Sequence, residues 1–300
     1  MSQHAAEKIP GAKDAAISAK GLSAGTVGLV GAVVIGVSTI APAYTLTASL
    51  GPTVSAVGVQ VPAVILVGFI PMLLVALGYR ELNRVMPDSG TSFTWGVRAF
   101  GPWIGWMTGW GLIAATVIVL SNLAGIAVEF LFLLIAQISG NEGIAELAFN
   151  PFINVAVCLL FLLGATLVSY RDMQTTQKFQ YVLVGFQVVV LVLFAVAAFV
   201  KSFSGDGIDH LAFDWSWINP FEVSSFSAFA AGISLSIFIF WGWDVVLTMN
   251  EETKDPDRTP GRAAMVTVVV VMALYLALSV SLMMFAGVGA GELGLGNEDI

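Results

Sequence analysis

Charged residues are scarce in this sequence, at 11% of 300 residues, whereas an ordinary soluble domain carries about 25%. There are only two histidines and one cysteine, Cys158, so an internal disulfide is excluded and a zinc site is not expected. The lysines and arginines form no basic patch interleaved with aromatic residues, which argues against a nucleic-acid partner. No nucleophile–base pair or metal-ligand pattern suggests an enzyme, and no cofactor is expected.

Long apolar runs are abundant instead. Hydrophobic residues make up 57% of the chain, and the mean hydropathy is +0.89. Runs near 20 residues are long enough to cross a hydrocarbon core of about 30 Å. The sequence therefore predicts an all-α polytopic membrane protein with membrane lipid around it. Seven spans are expected, at about 25–50, 57–79, 102–138, 152–169, 179–200, 223–248 and 263–287.

The distribution of basic residues predicts the orientation of these spans. Every lysine and arginine except Lys201 falls in residues 1–22 or in an even-numbered connection. Because basic loops stay in the cytoplasm, the amino terminus is expected there, with residues 1–22 forming a cytoplasmic tail. Residues 288–300 are then expected to begin an extracytoplasmic loop, and the protein is expected in the cell (inner) membrane.

Two of the predicted spans contain signals that interrupt a helix. In the first span, Gly36 is followed by two hydroxyl residues and Pro42. Proline removes a backbone donor and clashes with the carbonyl four residues back, which predicts a break at about 36–41. In the sixth span, Gly242 and Asp244 interrupt an aromatic run. The alternative for the first span is a helix that Gly36 and Pro42 merely kink. The alternative for the sixth span is a helix with a packing glycine and an acid that reaches the cytoplasmic surface.

The two interruptions predict a binding site for a small zwitterion. The two spans are five apart and run in opposite directions, as the corresponding helices of inverted-repeat transporters do. A half-helix starting near Ser38–Ile40 would offer N–H groups to a carboxylate. A half-helix ending near Phe238–Phe240 would offer carbonyls to an ammonium group or a cation. An amino acid carries both groups.

The loop after the second span and the start of the third contain a spaced set of residues: Glu81, Pro87, Gly90, Phe100, Gly101, Gly105, Gly109 and Trp110. This pattern resembles the signature of the amino acid–polyamine–organocation superfamily. A second match runs from the interruption in span six into span seven and comprises Gly242, Asp244, Glu251, Glu252, Pro256, Pro260 and Arg262. The resemblance implies an inverted-repeat transporter fold, with a first five-span repeat at about 25–200 and the start of a second at 223–287.

The resemblance also implies roles for individual residues. Asp244 matches an acid that relatives use in gating or proton movement. Gln187 stands where some relatives carry a lysine, and it cannot ionise. Glu129 is either a proton or substrate contact or an acid packed between helices. The implied substrate-binding positions are Gly36, Val37, Ser38, Thr39, Ile40, Phe238, Phe240, Trp241 and Gly242.

The function expected from these features is secondary active transport of amino acids or related amines by alternating access, coupled to H⁺ or Na⁺. The sequence departs from the family in two ways: the first interruption lacks a second glycine, and seven spans are fewer than the ten of the family core. A permease fragment without transport activity is therefore an alternative, and a channel or membrane assembly protein is another. The sequence does not determine the substrate, the coupling ion or the oligomeric state.

Overall fold

The structure is a computed structural model that describes residues 24–171, 173–205, 207, 211–291 and 294–297. The predicted tail 1–22 lies outside the described residues, as do five positions of the predicted loop 288–300. The chain forms two compact units. The first comprises the described residues of Met1–Ser89 and Gln177–Ile300, and the second is Gly90–Thr176.

Regular structure in the described residues is helical apart from one isolated parallel bridge, between Val27 and Thr253. The helices are α1 (Leu29–Ile40), α2 (Pro42–Val57), α3 (Val61–Val85), α4 (Thr91–Phe100), α5 (Pro102–Ser139), α6 (Pro151–Arg171), α7 (Met173–Ser204), α8 (Phe226–Ile239), α9 (Val245–Thr248) and α10 (Thr259–Ala286). Short 3₁₀ helices occupy Gly58–Gln60, Glu142–Phe149, Trp215–Ile218, Pro220–Glu222 and Asn250–Glu252.

Five helical stretches in the described residues are long and apolar enough to cross a membrane: Leu29–Val85, Pro102–Ser139, Pro151–Arg171, Met173–Ser204 and Thr259–Ala286. The first contains 57 residues, and at 1.5 Å per residue it would far exceed one membrane thickness if straight. It is divided at Ala41 and at Gly58–Gln60. A shorter apolar helix, α8, lies within the sixth predicted span. The count of seven spans stays a prediction.

In the core of the first unit, the helices pack closely at small residues. A β-carbon at Gly68 of α3 would lie 2.2 Å from the Ser236 Oγ of α8. A β-carbon at Gly232 would lie 2.7 Å from a methyl group of Val57. Close backbone approach at small residues is the usual way in which membrane helices associate, because lipid provides little hydrophobic drive for their contact. These contacts hold α2, α3 and α8 together.

The second unit places α4 along the first turns of α5. A β-carbon at Gly105 would lie 2.6 Å from the backbone nitrogen of Val97, and one at Gly109 would lie 3.0 Å from the ring of Phe93. The Thr108 hydroxyl donates to the carbonyl of Ser92 at 3.3 Å. The glycine spacing of the signature loop therefore serves a helix–helix contact within this unit.

Two glycines of α3 provide a matched test of the packing. We expect Gly68→Ala to destabilise the protein by about 1–3 kcal/mol, the usual cost of overpacking a core. Gly78→Ala is the control, because Gly78 is exposed and has no neighbour within 4 Å of an added β-carbon. It should leave stability unchanged or raise it by up to about 1 kcal/mol. Thermal unfolding in detergent measures both, and equal stability of the two variants would contradict the packing at Gly68.

Candidate functional site: two interrupted helices

The first interruption is a single residue, Ala41. Its backbone is left-handed, with φ 53° and ψ 64°. The Ala41 N–H bonds to the carbonyls of Val37 and Ser38, both at 3.1 Å. Pro42 then opens α2, where its missing N–H is harmless and its fixed φ suits the first helical position. The proline thus ends one helix and starts the next without a longer loop.

The predicted start of the break at Gly36 is corrected by this geometry. Helix α1 runs unbroken through Gly36, Val37, Ser38, Thr39 and Ile40. Gly36 is a packing position: a β-carbon there would lie 2.6 Å from the Thr267 Oγ1 of α10 and 2.9 Å from a methyl group of Val246. The positive end of a helix therefore does not lie at Ser38–Ile40. It lies at the first turn of α2, where Ala43 and Tyr44 carry the first N–H groups.

The second interruption lies between α8 and α9. Helix α8 ends at Ile239, and α9 begins at Val245. Two of the last carbonyls of α8 bond to N–H groups three residues later. The Ile237 carbonyl accepts from the Phe240 N–H at 3.3 Å, and the Phe238 carbonyl accepts from the Trp241 N–H at 3.1 Å. Gly242 has φ +114°, a conformation that side chains with a β-carbon rarely adopt. The sequence signal near Gly242 therefore coincides with a real turn.

The two interruptions lie directly against each other. A β-carbon at Gly242 would lie 3.0 Å from the carbonyl oxygen of Thr39 and 3.1 Å from its carbonyl carbon. The turn after α8 therefore passes over the last turn of α1 with almost no space between the two backbones. Both its positive φ and this close approach require glycine at position 242.

Tyr275 of α10 joins both interruptions from a third helix. Its side chain is fully buried, and its hydroxyl donates to the carbonyl of Ile239 at 2.9 Å. The same hydroxyl bonds the hydroxyl of Thr45 in α2. The ring also packs edge-on against Phe240, with centroids 5.7 Å apart. One side chain therefore satisfies the last carbonyl of α8 and anchors the first turn of α2.

The remaining predicted site residues differ in their surroundings. Phe240 is fully buried, Phe238 is 42% exposed and Trp241 is partly buried. Asp244 is partly buried at the residue before α9, where its side chain makes no capping hydrogen bond. Gln187 is partly buried on α7. Glu129 is exposed on α5 of the second unit. The structure thus brings together Thr39 and Gly242 but gives no contact that assigns Asp244, Gln187 or Glu129 a role.

A buried polar cluster around Asn83 and Asn250 follows the second interruption. The Asn250 amide donates to the Asn83 side-chain oxygen at 2.7 Å and to the Asp88 carbonyl at 3.2 Å. Asn83 in turn donates to the Pro256 carbonyl at 2.7 Å. Nearby, Lys254 N–H bonds to the carbonyl of Val27, just before α1. These bonds fix the chain after α9 to α3 and to the segment that enters α1.

Sequence reasoning missed Tyr275, Thr45 and this asparagine pair. Tyr275 could have been recognised as a residue that needs a hydrogen-bond partner, since it places a hydroxyl within an apolar span. Its partners lie 36 and 230 residues away, and no periodicity relates them. Among the described residues, no group of three or more His, Cys, Asp and Glu could hold a metal.

A model of the amino acid permease family matches residues 24–299, nearly the whole chain. The chain belongs to the amino acid permease family. As a permease with several apolar helices, it is an integral membrane protein.

Three relatives show how far the likeness extends. The low-affinity putrescine importer PlaP of Escherichia coli K12 is 26% identical over 81% of this chain and 50% of its own length. The branched-chain amino acid permease BcaP of Lactococcus lactis is 25% identical over 63% of this chain and 40% of its own. The D-serine/D-alanine/glycine transporter of Escherichia coli K12 is 27% identical over 71% and 43%. The chain thus spans half or less of the length of these relatives.

All three relatives are named as importers, permeases or transporters. These matches confirm the family resemblance seen in the sequence. The substrates in these names are amines and amino acids.

The Tyr275 hydroxyl provides a test of the hydrogen bonds that link the two interruptions. We expect Tyr275→Phe to lower the free energy of unfolding by about 1–3 kcal/mol, because the buried Ile239 carbonyl loses its donor. Thr45→Val should cost less, since the Ile239 carbonyl keeps its donor; it removes the bond to Tyr275 and the bond to the Ala41 carbonyl at 3.2 Å within the same helix turn. In the double variant the two losses should be less than additive. Chemical unfolding in detergent measures all three, and full additivity would contradict the shared bond.

Proposed function

We propose that this permease is a secondary active transporter of amino acids or related amines. The observation that carries the proposal is the contact between the Thr39 carbonyl and Gly242, which places the peptide groups of both interruptions side by side. Backbone that leaves a helix at membrane depth is tolerated where it is buried in protein or lines a cavity. Paired interrupted helices that meet in this way are the usual binding site of inverted-repeat transporters.

The two helix ends suit the two ends of an amino acid. The first turn of α2 offers N–H groups and a positive dipole end to a carboxylate. The final carbonyls of α8 offer the negative end to an amino group. The Ile237 and Phe238 carbonyls each already accept one bond, but a carbonyl has two lone pairs. The carboxylate contact proposed here therefore involves the first turn of α2, beginning at the N–H of Ala43, rather than the N–H groups of residues 36–40.

The named substrates of the relatives favour the amino group as the shared feature. Putrescine is a diamine without a carboxylate, whereas branched-chain amino acids, D-serine, D-alanine and glycine carry both groups. A site whose α8 end holds the amino group would serve all of them. The α2 end would then separate amino acids from amines.

The wider arrangement follows the expectations from sequence. The proposal has seven spans, a cytoplasmic amino terminus, and a first repeat at about 25–200 followed by a second from 223, in the inner membrane. Alternating access would move one repeat against the other around the paired interruptions. Asp244, Glu129 and Gln187 remain the candidates for gating or for coupling to H⁺ or Na⁺.

Competition binding tests the carboxylate contact. Purified protein is titrated with a radiolabelled amino acid that it binds, and its methyl ester and the corresponding amine compete. We expect both to compete at least about tenfold more weakly than the free acid, because one charge-assisted contact is lost. Equal competition by acid and ester would refute capture of a carboxylate, and failure of every amino acid and amine to bind would refute the function.

Asp244 has a separate test. We expect Asp244→Asn to lower uptake by about tenfold or more while membrane insertion stays normal, as is typical when an ionisable group in a membrane span has a functional role. Asp214→Asn is the control. Asp214 is exposed, and it caps a short turn by accepting from the Ser216 N–H at 2.7 Å, which asparagine also does well. Uptake that is unchanged by Asp244→Asn at every pH would remove Asp244 from the mechanism.

A further inference from the structure

Four arginines line one cavity at the end of α3 and the start of α10. The cavity has a volume of about 370 Å³ and is walled by Arg80, Arg84, Asp257, Arg258 and Arg262. It lies at the ends of the helices that enter even-numbered connections, which face the cytoplasm in the predicted orientation. None of these residues belongs to the interruptions described above.

Close packing of the two helices brings the arginines together. A β-carbon at Gly261 would lie 2.9 Å from the α-carbon of Arg80, so the backbones of α3 and α10 nearly touch there. Arg80 also reaches across to α10, where its guanidinium contacts the Met265 sulfur at 3.3 Å. The arginines of the two helices therefore line the same cavity because the two helix backbones lie so close together.

The surrounding carboxylates do not neutralise this cluster. Glu81 pairs with Arg80 and with Arg84 at 3.2 Å, and Asp257 pairs with Arg258 at 3.6 Å. Each of these pairs joins near neighbours in the sequence. Among the described residues, no ion pair joins Arg80 or Arg84 to a carboxylate near the start of α10. Four guanidinium groups thus share two carboxylates, which leaves the cavity electropositive.

We propose that this cavity binds a phosphate group. A guanidinium binds phosphate through two parallel N–H···O bonds, so several arginines around one cavity favour a tetrahedral oxyanion over a single carboxylate. In the predicted orientation the cavity lies where the helices reach the cytoplasmic membrane surface, and basic pockets between helices on that side bind anionic lipid headgroups. An anionic phospholipid and a free phosphate-bearing solute offer the same chemistry, and the experiment separates them.

Binding is measured on the purified protein in neutral detergent. Short-chain phosphatidylglycerol is titrated while protein stability and bound lipid are followed, with phosphatidylcholine and inorganic phosphate as parallel probes. We expect phosphatidylglycerol to bind at least about tenfold more tightly than phosphatidylcholine, because the cavity carries excess positive charge. Binding of inorganic phosphate with similar affinity would assign the site to a free anion instead.

A matched pair of double variants tests the location. The cavity variant Arg84→Gln with Arg262→Gln should weaken binding about tenfold or more, because two guanidinium contacts are lost. Arg98→Gln with Arg171→Gln removes the same charge outside the cavity and should change binding less than about twofold. Equal loss in both variants would indicate general surface charge and overturn the proposal, as would failure of every probe to bind. Neither result depends on transport, so the test is independent of the proposed function.

Discussion

The contact between the Thr39 carbonyl and Gly242 is the constraint on which the rest of the first unit depends. Two backbones can approach this closely only where one of them has no β-carbon, and the turn after α8 also requires a positive φ. The last turn of α1 and the turn after α8 are therefore held in direct contact. The proposed binding site, the closure of the helix ends and the path of the chain into α9 all follow from this contact.

The surrounding residues compensate for the backbone groups that the interruptions free. A buried carbonyl without a donor costs about 1–3 kcal/mol, and Tyr275 supplies a donor to Ile239 from α10. Pro42 adds no orphan N–H to the start of α2. Asn250 donates to the Leu247 carbonyl in the last turn of α9, and Asn83 donates to the Pro256 carbonyl farther along the chain. An interrupted helix is thus stabilised by the neighbouring helices.

The sequence predicted the elements of this arrangement better than their contacts. Proline and glycine have strong local effects, so Pro42 and Gly242 located the interruptions to within a few residues. Gly36 was misread, because a helix uses glycine for close packing as readily as for a break, and only the positions of Val246 and Thr267 distinguish the two. Tyr275, Thr45 and the asparagine pair act between segments far apart in the chain, and such pairings leave no periodic trace.

The most direct test of the central contact compares two glycines with positive φ in equilibrium binding of an amino acid. Gly242→Ala strains the backbone and also collides with Thr39, whereas Gly58→Ala strains the backbone at φ +60° with no neighbour within 4 Å. We expect affinity to fall about tenfold or more in Gly242→Ala and less than about threefold in Gly58→Ala, because backbone strain alone acts outside the site. Equal affinities in the two folded variants would contradict the account that the meeting of the two interruptions forms the binding site.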